Sequence, residues 1–264
     1  MQFEDILYAK AEGIATITIN RPSVLNAFRA ITISELIEAF KDAWADRTIG
    51  VVILTGAGER AFCTGGDQSV RAEGGYQGRR VHSDIGLDVE ELHSAIRDIP
   101  KPVIAAVNGY AIGGGHVLHV LCDLTIAADT ARFGQVGPRV GSVDPGFGTA
   151  YLARVVGEKK AREIWYLCRQ HSAEEARELG LVNKVVPAAQ LMDEARAWAQ
   201  EMLDKSPTAL KIAKASFNAA SEHIRGLSAL GMNALALYYR SDEAMEGRNA
   251  FIERRKPDFR KFRA

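Results

Sequence analysis

The sequence predicts an α/β protein: a core in which parallel strands alternate with helices, followed by a helical layer. Three observations point there. "IATITI" (residues 14–19) alternates apolar with small polar residues, and "VVIL" (51–54) and "VIAAV" (103–107) are apolar runs closed by Thr-Gly and Asn-Gly, as strands are. Amphipathic helical patterns separate these runs, and strand–helix alternation favours a parallel sheet. Beyond about residue 150 the pattern becomes almost wholly helical.

In chain order, Thr32-Ile33-Ser34-Glu35 has the form of a capping box ahead of Leu36, Ile37, Phe40 and Trp44, which are spaced as one helix face. "LDVEELHSAIRDIPKP" predicts a helix stopped by Pro100 and Pro102. Ser172-Ala173-Glu174-Glu175 is a second capping box, Gly180 a C-terminal cap, and residues 181–186 look extended. Ser206-Pro207 pairs a good cap with a proline suited to the first helical turn, so a new helix starts there. The division is a core over residues 1–204 and a helical region over 205–264, without repeat, low-complexity segment or flexible linker.

Composition narrows the function classes. The 264 residues are 47% hydrophobic and 25% charged, enough for a sizeable core. Lys+Arg and Asp+Glu are equal at 33 each, so there is no net field to hold nucleic acid or an anionic membrane. Any anionic ligand must be met by local groups. Cys63, Cys122 and Cys168 are odd in number and widely spaced, which argues against a disulfide framework. No run reaches the roughly 18 apolar residues of a membrane span, and "MQFEDILYAK" lacks a leader pattern. The expectation is a cytoplasmic protein without membrane partners.

Three glycine-rich loops carry the functional signal. The strand ending at Leu54 runs into "TGAGERAFCTGGDQ", and the strand ending at Val107 into "NGYAIGGGHVLHVLCD". Gly113-Gly114-Gly115 opens an apolar helix, so free backbone N–H groups face the loop and can bind a phosphate or a developing oxyanion. Ordinary strand-to-helix turns are the competing reading, and neither phosphate fingerprint, G-x-x-x-x-G-K-[ST] or a correctly placed G-x-G-x-x-G, is present. The third loop, "FGQVGPRVGSVDPG", holds four glycines and one carboxylate, Asp144.

"AFCTGGD", "PKPVIAAVNGYAIGGGHVLHVLCDLTIAA" and "FGQVGPRVGS" resemble, in order and spacing, the signature regions of the crotonase (enoyl-CoA hydratase/isomerase) superfamily, over essentially the whole chain. The resemblance implies a ββα spiral core with a C-terminal helical trimerisation layer, often doubled to a hexamer. It also implies an acyl-CoA thioester substrate, with no tightly bound cofactor, whose carbonyl oxygen sits between the N–H groups of Gly66 and Gly114. Two preorganised donors favour the enolate over the neutral carbonyl, and removing one such donor typically costs ~2.7–4 kcal/mol.

Hydratases of this superfamily carry two glutamates that handle water, and the matching positions here are Val117 and Gly137. Neither transfers a proton, so simple hydration is not expected. Two branches share that loss and resemble "CTGGDQ", "FGQVGP", "GSVD" and "KKAREIWYLCRQ": 2-ketocyclohexanecarboxyl-CoA hydrolase, which opens a ring, and 1,4-dihydroxy-2-naphthoyl-CoA synthase, which closes one. "GLDVEELHSAIRDIPKPVIA" and "GSVDPGFGTAYLARVVGEKKAREIWY" look closer to the hydrolase, whereas Arg71 and Tyr76 look synthase-like. Ser69 and Arg254 stand where the synthase pattern has lysines. Ring opening is the favoured activity and ring closure the alternative; a non-catalytic homologue that binds RNA or acts as a scaffold is disfavoured by the neutral charge and by Asp144.

Carried over residue by residue, the resemblance makes Asp144 the acid/base, with Ser142 hydrogen-bonded nearby, and brings Tyr239 to a substrate pocket, usually that of the neighbouring subunit. Taken alone, Asp144-Pro145 is also a common turn and Tyr238-Tyr239 an aromatic patch. Leu25, Thr64, Gly65, Asp67, Gln68, Arg71, Tyr76, Tyr110, Val136 and Arg254 match substrate- and CoA-binding positions. Gln135, Gly137 and Trp165 match a bicarbonate site, Gly137 leaving room for the anion; a packing glycine and a core tryptophan are the alternative. His116 and His119 read as core histidines rather than metal ligands, and Cys63 as a packed thiol rather than a nucleophile.

Overall fold

The computed structural model describes residues 2–70 and 88–263. Arg71 and Tyr76 lie outside the described residues. The chain opens with β1 (Ile6–Ala11), β2 (Ile14–Ile19) and α1 (Ala30–Ala45). Three strand pairs follow: β3 (Val51–Gly56) and β4 (Ala61–Cys63), then α2 (Val89–Asp98); β5 (Val103–Val107) and β6 (Tyr110–Ile112), then α3 (Gly114–Leu121); β7 (Leu124–Ala128) and β8 (Arg132–Gly134). After a π-helical turn over Phe147–Tyr151 come α4 (Leu152–Val156), α5 (Glu158–Leu167), β9 (Gln170–Ser172), α6 (Ala173–Glu178), β10 (Lys184–Val186) and α7 (Leu191–Leu203). The helices α8 (Pro207–Ala219), α9 (Glu222–Tyr238) and α10 (Asp242–Ile252) close the chain.

The first strand of each pair joins a six-stranded sheet in the order β1-β2-β3-β5-β7-β10, parallel except for the β1–β2 hairpin. The second strand joins a smaller sheet, β4-β6-β8-β9. This is the mixed α/β, crotonase-type arrangement the sequence predicted. Every residue of β3 and β5 is buried, because helices cover both faces of the parallel sheet. One face packs with α1, α2 and α3 in the main core, and on the other Val51, Ile53, Ile104 and Ala106 meet Leu191, Ala195 and Ala199 of α7.

Two local expectations need correction. The first helix begins at Ala30, two residues before the predicted cap, with Arg29 extended. Thr32 Oγ1 instead donates to Asp5 Oδ2 (2.5 Å), and Glu35 accepts the N–H groups of Glu4 and Asp5 (2.7 and 2.8 Å). Thr32 also accepts the Arg29 N–H at 3.1 Å, so as the third helical residue it caps α1 while tying the N-terminal segment to it. Trp44 is 46% exposed, because the buried stripe runs through Ile33, Leu36, Phe40 and Ala43 and leaves it at the edge. The Ser172–Glu175 box and the Ser206 cap form as predicted. No described helix is long and apolar enough to cross a membrane.

Candidate active site

The small sheet explains why three loops distant in sequence meet. β4, β6 and β8 are parallel neighbours, with Cys63 beside Ala111 and Ile112 beside Gly134. The loops leaving their C-terminal ends therefore emerge side by side: Thr64 to Gly66, Gly113 to Gly114, and Gln135 to Asp144. Together with Phe28, Gln68, Val89, Met232, Leu235 and Tyr239 they line one pocket.

On one wall the available chemistry is backbone. Phe28 donates its N–H to the Gly65 carbonyl and accepts from the Asp67 N–H, both at 2.8 Å, so the N–H of Gly66 between them takes no part in that pairing. The N–H of Gly114, at the first position of α3, has no intrahelical partner. The two loops touch: Gly65 has φ +83°, and a Cβ there would lie 2.8 Å from the Gly114 nitrogen. Two unspent donors thus sit at the head of one pocket, the arrangement that stabilises developing negative charge on a carbonyl oxygen.

The other wall is built of side chains. Asp144 leaves the third loop just before Pro145, Oδ1 accepting the Gly148 N–H at 2.9 Å. Only a glycine permits that approach, since a Cβ on residue 148 would meet Asp144 Cβ at 2.6 Å. The Asp144 side chain is 14% exposed, and burial pushes its carboxyl up to about 7, the Gly148 bond offsetting only part of the rise. Such a group exchanges protons near neutrality. On the same wall, Ser142 Oγ and Tyr239 OH share a 2.7 Å hydrogen bond.

The sequence pattern of the family described as enoyl-CoA hydratase/isomerase matches residues 9–262. The chain belongs to this family. Among solved structures it is similar to an enoyl-CoA hydratase from Bacillus anthracis, with 32% identity, 97% of this chain and 98% of that one covered, and a TM-score of 0.74. It is also similar to OdaA from Pseudomonas aeruginosa, with 32% identity, 94% and 99% covered, and a TM-score of 0.85. A hydratase from Mycobacterium avium subsp. paratuberculosis shares 27% identity over 98% and 99%, with a TM-score of 0.84. The crotonase superfamily, whose members act on CoA thioesters, is thereby established as the setting of the pocket.

Within this crotonase site, Gly66, Gly114, Asp144, Ser142 and Tyr239 all line the pocket, with Thr64, Gly65, Gln68, Val136, Gln135, Gly137 and Trp165. Leu25, Asp67, Tyr110 and Arg254 lie outside that lining. Leu25 is left-handed (φ +55°) and its carbonyl accepts from Thr64 Oγ1 at 3.2 Å, so it shapes the donor loop from behind. Asp67 is a loop anchor: Oδ2 pairs with Arg21 at 3.0 Å and Oδ1 accepts from Ser69. Burial raises its pKa, but the Ser69 and Arg21 bonds outweigh this and hold the carboxyl below the usual range.

Ser142 is hydrogen-bonded near Asp144, its partner being the Tyr239 hydroxyl. Two expectations change. Tyr239 reaches the pocket of its own chain, because the end of α9 folds back over the third loop. Gly137 does not open a cradle for bicarbonate: the direction of its absent Cβ is filled by the Ser142 carbonyl at 2.5 Å and the Trp165 ring at 2.9 Å. Trp165 Nε1 donates to the Gly148 carbonyl (2.5 Å), so the indole N–H is engaged, and Gln135 Nε2 lies 3.3 Å from His116 Nδ1. The residues present do not fit a resident bicarbonate.

Val117 is a fully buried core residue. Burial pushes the Cys63 thiol up to about 12, which suits a packed thiol. His116 and His119 are buried and face Gln135 and Thr125, and no group of three metal-type ligands occurs among the described residues. One residue was missed: His93, on α2, whose Nε2 lies 3.9 Å from Asp144 Oδ2. Its helix was predicted, but no local signal tied it to a loop fifty residues away.

Proposed function

We propose that this protein opens a cyclic β-keto acyl-CoA by adding water across a carbon–carbon bond. The observation that carries the reading is the pairing of two unspent backbone donors with a single, largely buried carboxyl poised near neutrality in one pocket, in a chain whose two hydratase glutamate positions are a valine and a glycine. Ionised Asp144 takes a proton from water as its oxygen adds to the ring ketone. The bond from that carbon to the carbon α to the thioester breaks, and its electron pair becomes the thioester enolate. Gly66 and Gly114 hold the enolate oxygen. The proton then passes to the α-carbon, giving a free carboxylic acid and a saturated acyl-CoA, with every atom of the water retained. Tyr239 and Ser142 orient the ring carbonyl from the opposite side.

The C-terminal helices support assembly into trimers in this reading. Phe217, Leu230, Leu237 and Phe251 are large apolar side chains left exposed on α8, α9 and α10, and such a concentration is characteristic of a surface covered by another subunit.

Purified protein is incubated separately with 2-ketocyclohexanecarboxyl-CoA, o-succinylbenzoyl-CoA and crotonyl-CoA, and products are read by mass spectrometry. Pimeloyl-CoA from the first is expected. A naphthoyl-CoA from the second, or 3-hydroxybutyryl-CoA from the third at a comparable rate, would overturn ring opening in favour of closure or hydration.

A further inference from the structure

His93 carries a feature that the proposed reaction leaves unexplained. Its side chain is wholly buried and, among the described residues, neither ring nitrogen has a hydrogen-bond partner. A buried polar group normally finds one, and leaving it unpaired costs stability. The ring is held edge-on to Phe147, with centroids 6.0 Å apart and planes at 86°. It projects from the same face of α2 as the pocket-lining Val89, four residues earlier. In that orientation Nε2 points at Asp144 Oδ2 from 3.9 Å, just beyond hydrogen-bond distance, while Oδ1 is already anchored by the Gly148 N–H.

The carboxyl therefore has one oxygen fixed by backbone and the other facing an imidazole that has no other partner among the described residues. Burial pushes His93 down to about 3, so the ring is neutral through the working pH range and its one N–H resides on either nitrogen. Resting on the reading of Asp144 as the acid/base group, we propose that His93 is a positioning residue for Asp144, a neutral imidazole whose Nε2–H donates to Oδ2 of the ionised carboxylate. A donor there favours the ionised form and keeps the base available against the pull of burial.

The other ionisable groups around the pair are already occupied or stand apart. Glu90, one turn before His93 on α2, is a half-buried carboxyl raised by burial. Arg97, one turn after it, lies over Phe147 and is bound by Glu222 of α9, the Asn218 carbonyl and Ser221. Tyr151 of the π-helical turn packs on the far side of Phe147, and Tyr239 is bonded to Ser142. Among the described residues the only contact of ion-pair range to Asp144 is that of His93.

The test is a titration that needs no turnover. In protein carrying ¹³C-labelled aspartate, the Asp144 carboxyl signal is assigned by its loss in Asp144→Asn and followed with pH in the wild type, His93→Leu and His93→Gln. His93→Leu removes the donor at similar volume and should raise the Asp144 pKa by about one to two units. His93→Gln, which keeps an N–H donor, should return most of that shift. An Asp144 titration in His93→Leu identical to the wild type overturns the proposal. Should His93→Leu fail to fold, ¹⁵N shifts of the wild-type His93 ring decide it: a proton on Nε2 above the Asp144 titration is expected, and one on Nδ1 overturns it. If Asp144 responds to His93 but Asp144→Asn retains full turnover, the pair stands and the acid/base reading alone fails.

Discussion

In the proposed reaction the working atoms on one wall of the pocket are backbone N–H groups, those of Gly66 and Gly114, held by loops whose neighbours are themselves backbone. On the other they are side-chain atoms of Asp144, Ser142 and Tyr239, delivered by a loop and by the end of a helix ninety-seven positions downstream of Ser142. The first wall is electrostatically fixed: a backbone dipole cannot be titrated, and its direction is set by the turn. The second is tunable, because burial and single hydrogen bonds decide whether its groups carry a proton at all. A donor that must only receive charge is built from backbone, and a group that must give and take a proton is built from a side chain.

The sharpest way to break this contrast is at Asp144. On the proposed reading of Asp144 as the acid/base group, Asp144→Asn should lower turnover by roughly 10²- to 10⁴-fold, measured as kcat on the proposed ring substrate. The same variant should be more stable than the wild type at alkaline pH. The folded carboxyl titrates near 7 and the unfolded one near 3.8, so folding binds the proton more tightly. Wild-type stability is therefore lost as pH rises between these values, by up to about 4 kcal/mol above pH 7. Melting curves of the two proteins should coincide near pH 4 and diverge by pH 8, with Asp144→Asn melting higher. Wild-type activity, needing the ionised form, should fall as pH drops through about 7.

On the opposite wall the expected loss is smaller and independent of pH. Gly114→Ala places a Cβ 2.7 Å from the Phe28 ring and 3.3 Å from Gly65 Cα, which displaces the donor without touching Asp144. A fall in kcat of about 10²- to 10³-fold is expected, with the acidic limb of the pH profile unmoved. A shift of that limb would show that the two walls are not separable.

The same division explains what could be read before the structure. The strands at 14–19, 51–54 and 103–107, the Ser172 and Ser206 caps and the glycine loops were legible, because each is a local pattern with a backbone cause, the second strand running two residues further to Gly56. The short strands Ala61–Cys63, Tyr110–Ile112 and Arg132–Gly134 were not, since three residues carry no period; yet their parallel pairing is what brings the loops together. On the side-chain wall Asp144 stood out as the one carboxylate of its loop. Its tie to Gly148, the contact with His93 and the pairing of Ser142 with Tyr239 are tertiary, and the glycine expected to make room at residue 137 proved to be packed against Trp165.

The Ser142–Tyr239 bond provides the finest test. At 2.7 Å it joins the third loop to the end of α9, so the two hydroxyls are expected to act as one unit that orients the ring carbonyl. A neutral hydrogen bond contributes on the order of 1 kcal/mol, so Ser142→Ala and Tyr239→Phe should each reduce kcat/KM by about tenfold. If both act through the shared bond, the double variant should lose little more than either single one, because the second substitution removes a partner the first has already orphaned. Full additivity, about a hundredfold in the double variant, would mean that each hydroxyl meets the substrate separately. The side-chain wall would then be two independent contacts around Asp144 and not one preorganised surface.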